Sequence, residues 1–490
     1  MSSSRDHSPT DIASPGPFSD LPQAWHDFLR VPTLMALGML ALAVVMIGLD
    51  RISPELLKPV HDFLSTYLFA DASESHSFLG TVLGGLITAT ALTITTLLIA
   101  LQQTASKLGI QVSSHFLDRR RNQLFFGFLV GVTVYVAVTY AAGGALHLVY
   151  SATLGLLLLL LVIYALIMLL YMTVNQMRPV VLISHIHDQT LRAYGRLERE
   201  VLARTWREAE ALGLETESTH RRLVLSHRDG YVTDIDLDRL EKALAEQDDP
   251  EAALVVHAPI GAYVAYNDIL AEVYASVEAV AAALVEPARD AFGLQQQRDI
   301  HCDPNYGLYH LEVITWPAVS TAISDPAIGV LTLNSARDIA SRWLAGEDDR
   351  RSQSESDGEE RERSPTRLPI VYPDTCWVRF FDLIEAMPIV ASESIQHQVF
   401  TQGLDVLREL FERLPPEHQR RAADIVRRWL PAAGDFVLAR ELELALERME
   451  ETLREGEYQE TADDVRRTLD ALRGTVGVLH SRSTRASEGK

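Results

Sequence analysis

LFFGFLVGVTVYVAVTYAAGGALHLVYSATLGLLLLLLVIYALIMLLYMTVNQM, residues Leu124–Met177, contains no Asp, Glu, Lys or Arg. A helix needs about 20 apolar residues to cross a ~30 Å hydrocarbon core, so this block is too long for one span and suits two. Ala141-Ala142-Gly143-Gly144 divides it, and the glycine pair offers the tight turn of a helical hairpin. The spacing places spans over Leu124–Tyr140 and Leu148–Val174.

Upstream, uncharged stretches at Thr33–Leu49 and Phe78–Leu101 supply two further spans. The first reads as a retained anchor. A long polar segment with Asp6, Asp11, Asp20 and Asp27 stands where a signal peptide would carry a short basic region. The loop 50–77 holds Arg51 and Lys58 among five carboxylates, whereas 102–123 holds Lys107, Arg119, Arg120 and Arg121. Basic loops stay on the cytoplasmic side, so residues 1–32, 102–123 and 175–490 are expected there. Cys302 and Cys376 then face a reducing compartment and need not pair.

The remainder is soluble in character. Lys+Arg 44 against Asp+Glu 66 gives a net charge of −22, the wrong sign for a nucleic-acid binder. With 47% hydrophobic residues the chain is too apolar to be disordered throughout.

The second span is distinctive. Thr81, Thr88 and Thr95, with Gln102 beyond, recur every seven residues. Seven residues are almost two helical turns, so they form one stripe drifting ~20° per heptad. Gly80 and Gly84 keep the helix narrow, and Gly127 and Gly131 repeat the device in the third span. The stripe serves helix packing, or it lines a hydrated path in an oligomer. No span holds a mid-membrane carboxylate or amine, which disfavours a proton-driven carrier.

Past the spans, apolar residues at three- and four-residue steps from Ile183 to Leu202 read as a helix continuing the fourth span. His185 and His187 point too far apart on such a helix to share a metal ion. Residues 220–275 change to strand-like runs around Asp229-Gly230 and Pro259-Ile260-Gly261, suggesting a small β-barrel-like unit. GAYVAYNDILAEV is similar to half of a lipoyl- or biotinyl-type barrel, whose cofactor sits on a hairpin-tip lysine. The only lysine there, Lys242, falls in a helical stretch, so no cofactor is expected.

Asp303-Pro304 and Asp325-Pro326 each place an N-cap before proline at the first helical position. They read as caps, or as a ligand or ion site between two helix N-termini. Residues 346–367 lack any large apolar side chain and read as a disordered acidic loop. Beyond them, helical patterns broken at Pro415-Pro416 form a C-terminal bundle. No G-x-S-x-G, P-loop, H-E-x-x-H or G-x-G-x-x-G occurs. Cys302 lies between His301 and Asp303, but neighbours in sequence rarely face one another, so no thiol nucleophile is expected.

These residues resemble the bacterial membrane proteins of domain-of-unknown-function family 2254, over roughly 33–450. The resemblance rests on ALTITTLLIALQQTASKLG, FLDRRRNQLFFGFLVGVTVY, RDGYVTDIDLDRL, and Arg298 five residues before Asp303-Pro304-x-x-Gly307. The family continues into Ala-Leu-Ser-Pro-x-Ile-Asn-Asp-Pro; here AVSTAISDPAIGV puts Ser324 where asparagine is expected. The resemblance implies four spans with a cytoplasmic domain and carries no activity with it.

The expected architecture is therefore an α-helical multispan membrane domain of four transmembrane helices, plus a cytoplasmic α+β domain. Its parts are a polar tail (1–32), membrane domain (33–177), connecting helix (178–219), β-rich unit (220–275), helical unit (276–345), acidic loop (346–367), helical bundle (368–480) and tail (481–490). The expected role is a non-enzymatic, multi-pass protein of the bacterial inner membrane, with both termini cytoplasmic. It would be a self-associating, channel-like protein gated by its cytoplasmic domain. The alternative is a non-conducting scaffold or signalling component that recruits a cytoplasmic protein. Its expected partners are the lipid bilayer and other copies of itself, with neither nucleic acid, metal nor cofactor. Thr81, Thr88 and Thr95 are the candidate path-lining residues; Gly80, Gly84, Gly127 and Gly131 are the packing positions. Arg298, Asp303 and Asp325 are the ligand or capping positions.

Overall fold

A computed structural model describes residues 21–52, 58–69, 71–108, 120–143, 148–176, 178–207, 220–247, 249–356, 367–434, 436 and 438–475. The chain divides after Met177 into two compact units.

The first unit consists of α1 (Leu21–Ile52), α2 (Lys58–Tyr67), α3 (Ala72–Leu108), α4 (Arg120–Ala142) and α5 (Val149–Gln176). Four of these are long and apolar enough to cross a bilayer, through Arg30–Ile52, Ala72–Thr96, Gln123–Ala142 and Val149–Met172. The short α2 buries no residue and exposes Val60, Phe63 and Tyr67, as a helix suited to a membrane interface does. Leu79, Leu86, Val132, Val136 and Leu148 lie in the core of the unit.

Glycines set the closest helix approaches. A Cβ on Gly127 would lie 2.7 Å from Met35 Sδ and 3.0 Å from Pro32 Cα; one on Gly131 would lie 3.3 Å from the Met35 carbonyl. The contacts advance together along both chains, so α1 and α4 run parallel with backbones nearly touching. Small residues permit this, and van der Waals packing then holds the pair in a medium that offers no hydrophobic drive. Asp50, near the end of α1, reaches the start of α5. Its carboxylate accepts the Tyr150 and Ser151 backbone N–H groups at 2.8 and 3.1 Å, and the Ser151 hydroxyl at 2.5 Å. A helix N-terminus leaves such donors unsatisfied and carries partial positive charge, so an anion from another helix suits it.

The second unit opens with α6 (Pro179–Leu197), which extends through one π-type turn, Glu198–Leu202. The expected continuous helix from the fourth span is interrupted here. Arg178 is extended (φ −71°, ψ 124°), because a residue before proline is pushed out of the helical region. Residues 208–219, expected to complete that helix, lie outside the described ones.

The strands form two open sheets rather than a barrel. β1 (His220–Leu225), β3 (Ala253–Val256), β5 (Ile269–Ala275) and β7 (Ile370–Val371) order as β1-β5-β3-β7, with only the β3–β7 pair parallel. β2 (Gly230–Ile235), β4 (Tyr263–Val264) and β6 (Phe292–Gln295) order as β4-β2-β6. Closure into a barrel needs long edge strands that find neighbours. Here β4 and β7 have two residues each, and β1 is mostly exposed, with Arg221 and Arg222 on it. Short and charged edges prevent further pairing. α7 (Leu237–Ala245), which carries Lys242, follows β2; α8 (Glu278–Asp290) packs on β1 and β5.

α9 (Pro304–Val319) packs between α6 and α11 (Cys376–Glu393), and α10 (Pro326–Ser356) packs on α6 and α12 (His397–Phe411). α10 corrects the loop expected at 346–367: its first eleven residues are helical, and 357–366 lie outside the described residues. A helix already nucleated by the apolar stretch before Leu344 propagates at one hydrogen bond per added residue, and Glu, Arg and Gln accept it readily. α13 (Pro416–Ala433), α14 (Arg440–Glu455) and α15 (Gln459–Thr475) complete a C-terminal helical region. Pro416 sits at the first position of α13, where its missing N–H costs nothing. Gly403 admits Pro388 and the Trp429 ring, and the Trp429 indole donates to the Glu385 carbonyl at 3.0 Å.

Candidate functional site

The sequence-derived candidates fall into two separate groups, one in each unit. On α3, Thr81, Thr88 and Thr95 share an exposed face with Gly84, Gly85 and Ala91. Each hydroxyl donates 2.9 Å to the carbonyl four residues back, at Ser77, Gly84 and Ala91 respectively. The donor is thereby used inside the helix, and the oxygen lone pairs remain as uncharged acceptors. Among the described residues, no atom outside the local helix backbone lies within 4 Å of a Cβ placed on Gly84 or Gly85. Gly80, one turn away, behaves differently: a Cβ there would meet the Tyr140 ring at 2.9 Å. Of the four packing glycines, then, Gly80, Gly127 and Gly131 are used within the chain. Gly84 is not.

In the second unit, Arg298 and Asp303 meet, and Asp325 stands apart. Arg298 Nε and Nη2 donate to Asp303 Oδ2 at 2.8 and 2.6 Å, and Tyr306 N donates to Oδ1 at 3.2 Å. The Arg298 guanidinium also lies 4.7 Å over the Tyr306 ring, a cation–π contact. Burial pushes the Asp303 carboxyl above its usual range, and Arg298 opposes that shift. Gly261, at φ +92°, turns beneath this pair; any Cβ there would collide with the Asp303 carboxylate. Asp303 therefore caps α9 and pairs with Arg298, and the Pro259–Ala262 turn passes close beside its carboxylate.

Asp325 accepts from Ala327 N at 3.1 Å at the start of α10. The sixteen residues of α9 separate it from Asp303 by roughly 24 Å, so the two helix N-termini cannot enclose one ligand. Cys302 has its thiol pushed up to about 12 by burial, and the Cys376 thiol is raised by full burial, so neither is a ready nucleophile. His187 bridges to Asp338 on α10 at 2.8 Å.

The DUF2254 family, described as predicted membrane proteins, matches residues 25–368. The chain belongs to this family. No curated protein and no solved structure matches it. The DUF2254 match covers all four candidate spans and both sheets up to β7, and leaves α11 to α15 outside it. Ser324, the position where the sequence resemblance led us to expect asparagine, has a left-handed backbone (φ +58°). Asparagine tolerates that region better than serine does.

Sequence reasoning assigned no structural role to Asp50, to Gly261 or to the buried Thr315–Thr332 hydroxyl pair, 2.5 Å apart between α9 and α10. Only Gly261 carried a local signal, in the Pro-Ile-Gly turn. The other two act between segments far apart in sequence.

Proposed function

We propose that this DUF2254 protein acts without catalysis, as a homo-oligomer of the bacterial inner membrane whose α3 faces meet around a small permeation path. The second unit lies in the cytoplasm with both termini and controls that path. The observation that carries the reading is the α3 face itself: three threonines and two glycines, free of charge, and exposed among the described residues. Small residues admit close approach by a second copy, and the threonine oxygens offer weak acceptors that bind nothing tightly.

Gly84→Leu is an informative variant because no described neighbour approaches a Cβ at that position. It is expected to change assembly and flux while leaving the monomer folded. Thr88→Val keeps the shape, removes the hydroxyl, and is expected to alter flux alone. The measurement is ion flux in liposomes reconstituted with wild type and each variant, across voltage, osmotic and pH steps. Wild-type flux no greater than that of empty liposomes would sink the permeation reading and leave the non-conducting scaffold. Flux unaltered by Thr88→Val would move the path away from α3.

A further inference from the structure

In a chain that is 22% charged, residues 313–336 hold a single charged side chain, Asp325. This stretch forms the end of α9, the turn after it and the start of α10. Part of its apolar content stays outside the core: Trp316 is 46% exposed and Ile323 48%. Ile395, 48% exposed, belongs to the same end of the second unit. Ser394 Oγ beside it donates to the Val319 carbonyl at 2.6 Å. Gln396 Nε2 donates to the Ala318 carbonyl and to Ser324 Oγ, each at 3.3 Å. Large apolar side chains gathered in this way on a surface mark a place of contact.

The course of the chain says what lies opposite. The apolar part of α5 ends at Met172, the helix itself ends at Gln176, and α6 begins at Pro179. Three residues reach at most roughly 11 Å, so the start of α6 stays at the membrane surface whatever the tilt of the second unit. His187 on α6 bridges to Asp338 on α10, and one to two turns later Tyr194 stacks on Trp343, so the two helices run parallel. α6 begins eight residues before His187, and α10 begins twelve before Asp338. At 1.5 Å per residue the start of α10 therefore projects past the start of α6 by roughly 6 Å. The turn with Ile323 thus stands at the end of the unit where the chain arrives from the bilayer, and reaches further than α6 does.

We infer that the α9–α10 turn docks the second unit on the bilayer its own chain crosses, with Trp316 and Ile323 inserted at the headgroup boundary. Tryptophan favours that boundary, and apolar side chains on a polar body gain by entering it. Residues 313–336 and 388–397 contain no Lys or Arg, while Asp325 and Glu393 lie within them. The contact is therefore apolar and does not select anionic headgroups, which need a basic cluster. It rests on neither the permeation reading nor the side of the membrane on which the second unit lies.

The test is photo-crosslinking of the full chain in liposomes of phosphatidylcholine or of phosphatidylglycerol, with adducts identified by mass spectrometry. Ile323→p-benzoylphenylalanine and Trp316→p-benzoylphenylalanine place the probe at exposed positions that the fold tolerates. Tyr266→p-benzoylphenylalanine is the control, on an exposed site five residues beyond Gly261 and so at the Asp303 end of α9. Phospholipid adducts at Ile323 and Trp316 are expected to exceed those at Tyr266 at least tenfold, in both lipids alike. Yields no higher than at Tyr266 would overturn the inference. A chain-to-chain adduct as the main product would also overturn it, by making a second copy the partner. Adducts confined to phosphatidylglycerol would overturn the apolar contact in favour of headgroup charge.

Discussion

At the scale of single residues, backbone conformation explains positions that chemistry alone would misread. Ser324 occupies the left-handed region, which costs an ordinary L residue ~1 kcal/mol and asparagine less. Ser324→Asn is therefore expected to stabilise the second unit by about 0.5–1 kcal/mol. Ser324→Ala, which keeps the conformation and loses the 3.3 Å hydrogen bond from Gln396, should not stabilise it. Denaturant unfolding of the purified chain measures both. A loss of stability on Ser324→Asn would mean that the asparagine of the family answers something other than φ. Gly261 shows the stricter case, because both its φ of +92° and the Asp303 carboxylate exclude a side chain.

Among the elements, β5 carries the most exposed consequence of burying a charge. Glu272 lies mid-strand with its side chain 7% exposed. Burial raises its pKa, but the hydrogen bond from Tyr274 at 2.8 Å and the Arg221 guanidinium outweigh that, and the net shift is downward. A carboxylate with a lowered folded-state pKa contributes stability above its unfolded value, here 4.5, and loses it as pH falls through the folded value. Glu272→Gln should cost roughly 1–2 kcal/mol at pH 7, a charged hydrogen bond discounted for the exposed arginine. The cost should shrink as the pH falls below 4.5. Unfolding curves of the two proteins that stay equally separated from pH 7 to pH 3 would refute the assignment.

For the whole molecule, the asymmetry of Lys and Arg between the loops makes topology the first thing to measure. With 50–77 outside and 102–123 inside, an impermeant thiol reagent applied to intact cells should label Asp62→Cys. It should reach Ser114→Cys only after permeabilisation. The reverse pattern would invert the orientation and place the second unit outside the cytoplasm. Asp62 is suited to the experiment because its side chain is 80% exposed on α2.

The four apolar helices were legible without coordinates, because a bilayer demands long uncharged stretches and such stretches rarely arise otherwise. The starts of α9, α10 and α13 were legible too, since Asp-Pro and Pro-Pro act on backbone groups within a few residues. Helix contacts were not. Gly84 and Gly127 look alike in sequence, yet among the described residues one has no close neighbour and the other touches Met35 and Pro32. The strands at 220–275 were visible, but their partners were not: β3 pairs with β7, more than a hundred residues later. Periodicity says that a segment has an apolar face. Which face meets which is decided only when all the surfaces compete for burial at once, and that competition separates the two sheets, brings Asp50 to the start of α5, and leaves the α3 threonines outside.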